Sequence, residues 1–298
     1  MPRLDENSSK TSVGPVHLRA IISFVMADGS AIEWTDATWN PVTGCTKISP
    51  GCKFCYAERL TLRFGRGPFE QVRLHPDRLA LPLRWRAPRR IFVNSMSDLF
   101  HERVPDDYIE RVIAVARLAP QHVFQILTKR ADRLRQWSVG VKVPPNVWLG
   151  VSIESARYIW RADRLRDVDV AIRFISAEPL LGSLRDLDLT GVAWVITGGE
   201  SGGTPARALV EARNGGWRPK REAETWVREL CEKCRSAGVA FFHKQWGGPL
   251  PTSGGRLLEG QVWSEMPTIH EKSEGCSSSR LIRSQNVAAV SDLLAKTR

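Results

Sequence analysis

Long apolar runs are missing from this sequence. Nowhere in its 298 residues does a hydrophobic stretch approach the roughly 20 residues that span a bilayer, so no transmembrane helix is expected. The longest early run, Ala20-Ile21-Ile22-Ser23-Phe24-Val25, is too short for a secretory hydrophobic region and lacks a convincing cleavage site. The chain therefore reads as cytoplasmic, with no membrane partner. Internal repeats and long low-complexity tracts are absent too. The glycine-rich stretch Gly198-Gly199-Glu200-Ser201-Gly202-Gly203 has neither the G-x-G-x-x-G spacing nor a Lys-Ser/Thr pair, so it supports no dinucleotide or P-loop site. Acidic residues are in deficit, 32 against 43 Lys and Arg, for a net charge of +11. That excess favours a polyanionic partner, of which nucleic acid is the commonest. The arginines are scattered, however, as in Arg84, Arg86, Arg89 and Arg90, and plain compositional bias would scatter them the same way.

Hydrophobic content of 42% and charged content of 25% are ordinary for a globular protein with a large core. From Ile32 onward, short apolar runs alternate with amphipathic stretches. The runs predict strands at Arg90–Asn94, His122–Leu127, Val147–Ser152, Ile172–Ser176, Val192–Ile196 and Val239–His243. Spacings of three and four predict helices over Ala57–Phe64, Tyr108–Leu118, Ser155–Arg166 and Glu222–Ala237. Alternation of this kind implies βαβ units and a parallel sheet, either a barrel or doubly wound. Residues 1–25 read as a disordered or overlong extension, with Met26-Ala27-Asp28 resembling a second start. Residues 26–267 form the α/β unit, and 268–298 a polar tail with a short helix near Val287 to Lys296.

Each predicted strand ends in polar residues: Asn94-Ser95-Met96-Ser97-Asp98, Thr128-Lys129-Arg130, Ser152-Ile153-Glu154, Ser176-Ala177-Glu178, Thr197-Gly198-Gly199-Glu200 and His243-Lys244-Gln245. In α/β barrels, the C-terminal strand ends form the active-site face. Strands must stop somewhere and loops are polar, but six such ends in succession point to a site.

Three of the six cysteines fall within eleven residues: Cys45, Cys52 and Cys55, in a C-x6-C-x2-C loop with glycine and proline. Clustered cysteines in such a chain indicate metal or redox chemistry rather than a disulfide framework. Three thiolates on a cubane iron–sulfur cluster would leave one iron open, which S-adenosylmethionine (SAM) can occupy. A structural zinc site is the competing reading, completed by His75 or His101, or by Cys231 and Cys234. Cys231 and Cys234 share a helix face and read as packed or idle thiols; buried, unligated cysteine is the third reading.

Cys52-Lys53-Phe54-Cys55 resembles the end of the radical SAM signature. The resemblance implies a partial parallel TIM barrel, a [4Fe–4S] cluster on Cys45, Cys52 and Cys55, and Phe54 near the SAM adenine. The first spacing departs from that signature, with six residues where three are typical. Glu33-Trp34-Thr35-Asp36-Ala37-Thr38-Trp39-Asn40-Pro41-Val42-Thr43-Gly44-Cys45 resembles the opening of a poorly characterised, phage-associated three-cysteine-motif family. The likeness runs on through Tyr56-Ala57-Glu58-Arg59, Leu127-Thr128-Lys129-Arg130 and Phe241-Phe242-His243-Lys244-Gln245-Trp246-Gly247. Members of that family sometimes neighbour a dedicated partner protein. The strand ends also resemble those of radical SAM lyases that repair DNA photoproducts.

On this resemblance Ser95, Ser97 and Asp98 receive the SAM amine, with Asp98 pairing to it directly or else capping a helix. Thr128 and Lys129 follow the next strand, and Ser152 and Glu154 stand where the ribose and carboxylate are held. Gly198, Gly199 and Glu200 pass close to the adenosyl group, although a tight loop explains the glycines nearly as well. Glu178, Lys244 and Gln245 face the substrate. A flavodoxin- or ferredoxin-like reductant is implied. The expectation is a radical SAM enzyme acting on an unknown, nucleic-acid-like substrate; the alternative is a zinc-stabilised nucleic-acid-binding protein without catalysis.

Overall fold

A computed structural model describes residues 26–30, 32–204 and 207–268. The N-terminal extension, Cys276 and the expected tail helix lie outside the described residues. The strands are β1 (Met26–Asp28), β2 (Ala37–Trp39), β3 (Val42–Thr43), β4 (Arg73–Leu74), β5 (Arg90–Val93), β6 (Val123–Thr128), β7 (Val147–Ser152), β8 (Ile172–Ala177), β9 (Trp194–Gly198), β10 (Val210–Arg213), β11 (Gly216–Pro219) and β12 (Ala240–Gln245). The helices are α1 (Tyr56–Arg63), α2 (Asp106–Leu118), α3 (Ala131–Ser138), α4 (Trp160–Arg166) and α5 (Arg221–Ser236).

All six strands predicted from apolar runs form. Each is buried on both faces, which is why the runs are continuous rather than alternating. The main sheet has the order β1-β2-β5-β6-β7-β8-β9-β12, with β1 antiparallel to β2 and the other seven strands parallel. Successive strands always add on the same side, so the order never reverses as it does in a doubly wound sheet. Right-handed crossovers then deliver every helix to one face. The sheet is an open, partial α/β barrel.

The two faces have separate cores. On the outer face, Ile91, Val93, Phe124, Leu149, Ile175, Val195 and Phe241 meet the apolar sides of α2, α3, α4 and α5. The inner face carries Phe92, Trp148, Ile172, Phe174, Trp194, Ile196 and Phe242, with Trp34 packed against them and no helix taking part. Parallel register lines these residues into layers. Leu127, Gly150, Phe174 and Trp194 are neighbours across four strands, and one level higher Ser152, Ser176, Ile196 and Phe242 follow. The lower interior is thus aromatic, and polarity begins at the C-terminal rim.

Gly150 makes that packing feasible. A Cβ there would sit 2.5 Å from the Phe174 ring, which is held in place by Trp194 at 5.6 Å between centroids. Gly150→Ala is expected to cost about 1–3 kcal/mol through overpacking. Urea denaturation measures this, and an unchanged midpoint would show that the ring has room to move.

Four described histidines are held neutral. Burial, as the main cause, lowers the pKa of His75 to about 4 and of His243 to about 3, and also lowers those of His101 and His122. Below the ordinary value near 6.5 the unfolded chain takes up protons that the native one refuses. Stability is therefore complete above about pH 6.5 and declines as pH falls toward those lowered values. Urea midpoints measured from pH 7 to pH 5, above most carboxylate titration, should fall steadily; a flat profile would contradict the burial of these rings.

Candidate functional site

The cysteine loop is positioned by two buried asparagines that stitch the turn after β2 to the turn after β5. Asn40 Oδ1 accepts from Ser95 Oγ and from the Met96 N–H, both at 3.1 Å. Asn94 Oδ1 accepts from the Val42 N–H at 3.1 Å, and Ser97 Oγ donates to the Val42 carbonyl at 2.8 Å. Asn94 has φ of 60°, a left-handed conformation that asparagine tolerates better than most residues. The next segment brings Cys45, whose N–H donates to the Phe69 carbonyl at 2.9 Å. Pro50–Cys52 makes a single 3-10 turn, and Cys55 stands immediately before α1. The Tyr56 hydroxyl donates to the Ser95 carbonyl, tying the start of α1 to the same turn.

Cys45 and Cys55 pack on one small cluster formed by Ala57, Phe69 and Met96. Burial pushes the Cys45 thiol up to about 12, aided by Asp98 and opposed by Arg130. Burial also raises Cys55, opposed by the backbone N–H groups of Ala57 and Glu58. Cys52 ends the 3-10 turn between Cys45 and Cys55, its Sγ 3.8 Å from the Ser49 hydroxyl. Among the described residues, no group of three or more His, Cys, Asp or Glu is disposed to hold a metal ion. A cubane takes each thiolate on a different iron and so asks for a wider set of sulfurs than one zinc ion does.

The histidines and cysteines suggested for a zinc site are engaged elsewhere. His75 Nε2 lies 2.8 Å from Thr43 Oγ1. His101 Nε2 lies 2.9 Å from Thr46 Oγ1, and its Nδ1 accepts from the Arg103 N–H at 3.1 Å. Cys231 and Cys234 are buried in the outer core on α5, where burial raises their pKa to about 11 and about 12. They are packed thiols, apart from the Cys45 and Cys55 cluster.

Most strand-end carboxylates are neutralised by arginines. Asp98 is saturated. Its Oδ1 accepts from Thr128 Oγ1 at 2.7 Å and the Phe100 N–H at 3.0 Å, and its Oδ2 from the Lys129 N–H at 3.2 Å and Arg130 Nη1 at 3.1 Å. A carboxylate offers about four such positions, so Asp98 has none left for the SAM amine and is a structural hub instead. Glu154, fully buried, pairs with Arg161 Nη1 at 2.8 Å and faces the Gly51 N–H at 3.4 Å. Glu200 makes a forked pair with Arg207 at 2.9 and 2.7 Å. Arg207 also donates to the Pro50 carbonyl at 2.8 Å and lies 5.4 Å above the Phe54 ring.

Several of the residues expected to bind a ligand have partners within the chain. Ser95 and Ser97 spend their hydroxyls on Asn40 and Val42, and Thr128 spends its hydroxyl on Asp98. Gly198 and Gly199 make room for the protein itself. A Cβ at Gly198 would meet Glu178 Oε1 at 2.6 Å, and one at Gly199 would meet the Trp246 carbonyl at 1.9 Å. What faces the rim is a shorter set. Lys129 is half-buried against Gly51 of the cysteine loop, and among the described residues no hydrogen bond or ion pair takes its ammonium. Glu178 and Lys244 pair at 3.2 Å, Ser176 Oγ donates to Glu178 at 3.2 Å, and Gln245 Nε2 donates to Ser201 Oγ at 3.1 Å. Ser152 is buried in the layer beside Ser176. On the outer flank of the loop, a cavity of about 360 Å³ is lined by Ile48, Lys129, Arg130, Arg133, Tyr158 and Trp160, among others.

Sequence reading missed Asn40, Asn94, Arg130, Arg161 and Arg207 as organisers of this mouth. One signal was available: Glu154 and Arg161, like Glu200 and Arg207, stand seven residues apart, each pair starting at a strand end.

A family model described as "Protein of unknown function (DUF5131)" matches residues 29–267. No curated protein matches the chain. Among solved structures, a spore photoproduct lyase complexed with dinucleoside spore photoproduct is similar at 14% identity and a TM-score of 0.49, over 73% of this chain and 78% of that one. A cysteine-to-serine mutant of spore photoproduct lyase is similar at 13% identity and a TM-score of 0.43, over 98% of this chain and 84% of that one.

Removing the charge at the Asp98 hub leaves the buried Arg130 guanidinium with only the exposed Glu102 carboxylate as counter-charge. Asp98→Asn is expected to destabilise the fold by about 3–5 kcal/mol, the cost of breaking a buried ion pair from one side. Chemical denaturation measures the change, and wild-type stability in this variant would remove Asp98 from the scaffold.

Proposed function

We propose that this chain, which belongs to the DUF5131 family, is a radical SAM enzyme carrying a [4Fe–4S] cluster on Cys45, Cys52 and Cys55. The observation that carries the reading is the three-thiol loop at the C-terminal mouth of a parallel partial barrel, with the nearby histidines bonded to threonines. Three thiolates with no fourth protein ligand among the described residues suit a cluster that leaves one iron open. When bound, such a cluster supplies the electron that cleaves SAM to a 5′-deoxyadenosyl radical able to abstract hydrogen from a substrate.

The chain's own residues divide the remaining work. Lys129 is a cation beside the loop, suited to the carboxylate of SAM. Phe54 has Lys53 at 5.5 Å and Arg207 at 5.4 Å over its ring, so an adenine would stack there by displacing one of these cations. Glu178, Lys244 and Gln245 hold the rim where a substrate enters, and the aromatic layers beneath keep water from the interior. The net charge of +11 favours nucleic acid as the substrate class, with Arg133 and Trp160 of the flanking cavity as contacts. A flavodoxin- or ferredoxin-like protein supplies the electron.

Anaerobic reconstitution is expected to give a brown protein with about four irons and four sulfides per chain. Dithionite and SAM should then release 5′-deoxyadenosine from the wild type, and Cys52→Ala should release none above background. Stoichiometric zinc with no iron uptake would overturn the proposal.

A further inference from the structure

Arg130 is the best-fixed cation at the mouth, and one of its N–H groups is aimed at a thiol. Its Nη1 lies 3.5 Å from Cys45 Sγ and 3.1 Å from Asp98 Oδ2. Its Nη2 donates to the Thr46 carbonyl at 3.2 Å and to Thr46 Oγ1 at 2.9 Å, and its Nε donates to Glu102 at 3.1 Å. The side chain is only 8% exposed. A guanidinium tied at that many points cannot swing away from the sulfur. The contact to the sulfur is additional to the ion pair with Asp98 and the bonds to Thr46 that fix the side chain.

The other two thiols have different neighbours. Cys52 Sγ lies 3.8 Å from the Ser49 hydroxyl, and Cys55 faces backbone N–H groups at the start of α1. We propose that Arg130 is a positioning residue that raises the reduction potential of the cluster by donating a hydrogen bond to the Cys45 sulfur. The inference rests on the reading of Cys45 as a cluster ligand. Reduction adds one electron, supplied by dithionite or a protein donor, and part of its charge resides on the thiolate sulfurs. A donor aimed at one of them stabilises the reduced state more than the oxidised state. No proton moves and no bond breaks. Asp98 beside the guanidinium cancels most of its net charge, so the lever is the directional bond rather than the field of a bare cation.

The test is a redox titration, followed by electron paramagnetic resonance, of the reconstituted full chain as wild type, Arg130→Lys and Arg130→Gln, with iron and sulfide counted in each. Both variants should titrate at more negative potential than the wild type at equal iron content, because neither can keep the fork that holds an N–H on the sulfur. A wild-type potential in Arg130→Gln overturns the inference. A shift in Arg130→Gln with none in Arg130→Lys assigns the effect to charge and overturns it as well. Should the variants not assemble a cluster, the wild type labelled with [15N]arginine decides. A nitrogen hyperfine coupling to the reduced cluster is expected, and its absence overturns the inference. A wild type that takes up no iron at all overturns the underlying reading, and this inference with it.

Discussion

Buried carboxylates at the strand ends have to be neutralised, and the way this chain does so organises everything at its mouth. Asp98, Glu154 and Glu200 each take an arginine, and each pair then touches the cysteine loop. Arg130 holds Cys45 and Thr46, Glu154 meets Gly51, and Arg207 reaches Pro50 and covers Phe54. The loop is thereby gripped near its start and its middle, and α1 fixes its end. Buried ion pairs add little net stability, because desolvation offsets much of the attraction. Their effect here is geometric: they turn a long, irregular segment into one with a defined path. That bears on the six-residue gap between Cys45 and Cys52, since a longer loop loses more freedom on ordering and needs more anchors.

The fold was largely legible because parallel strands buried on both faces leave unbroken apolar runs. Val147–Ser152 and Ile172–Ala177 are examples, and both lie where the runs predict them. Several short elements escaped, β2 and α3 among them. β2 has only Ala37, Thr38 and Trp39, too short for any run to stand out, and α3 is an eight-residue helix with an apolar side made of Ala131, Leu134 and Trp137 alone. The choice between barrel and doubly wound sheet could not be made from alternation, because both alternate; strand order decides it.

The site was legible as a place and poorly legible as a set of roles. Polar strand ends did mark the rim, and Cys45 and Cys55 pack on one small cluster there. The partners of Asp98, Ser95 and Ser97 were not legible, because periodicity says nothing about which donor arrives from a distant strand. The partners of Asp98 on the next strand end stand thirty or more residues away, and nothing in the local sequence separates a carboxylate open to a ligand from one already saturated. Arg130 belongs to a polar strand end, yet its five-point anchorage becomes visible only once Thr46, Asp98 and Glu102 are placed around it.

The aromatic interior makes this molecule a bowl rather than a tube. Trp34, Trp148, Phe174 and Trp194 floor it, with edge-on and tilted contacts between 5.6 and 6.1 Å linking each of the others to Trp194. Among the described residues these rings fill the lower interior, so a molecule that entered from the rim would have to leave by the way it came. On the proposed reading, a large substrate would need to lower only a small part of itself over that edge.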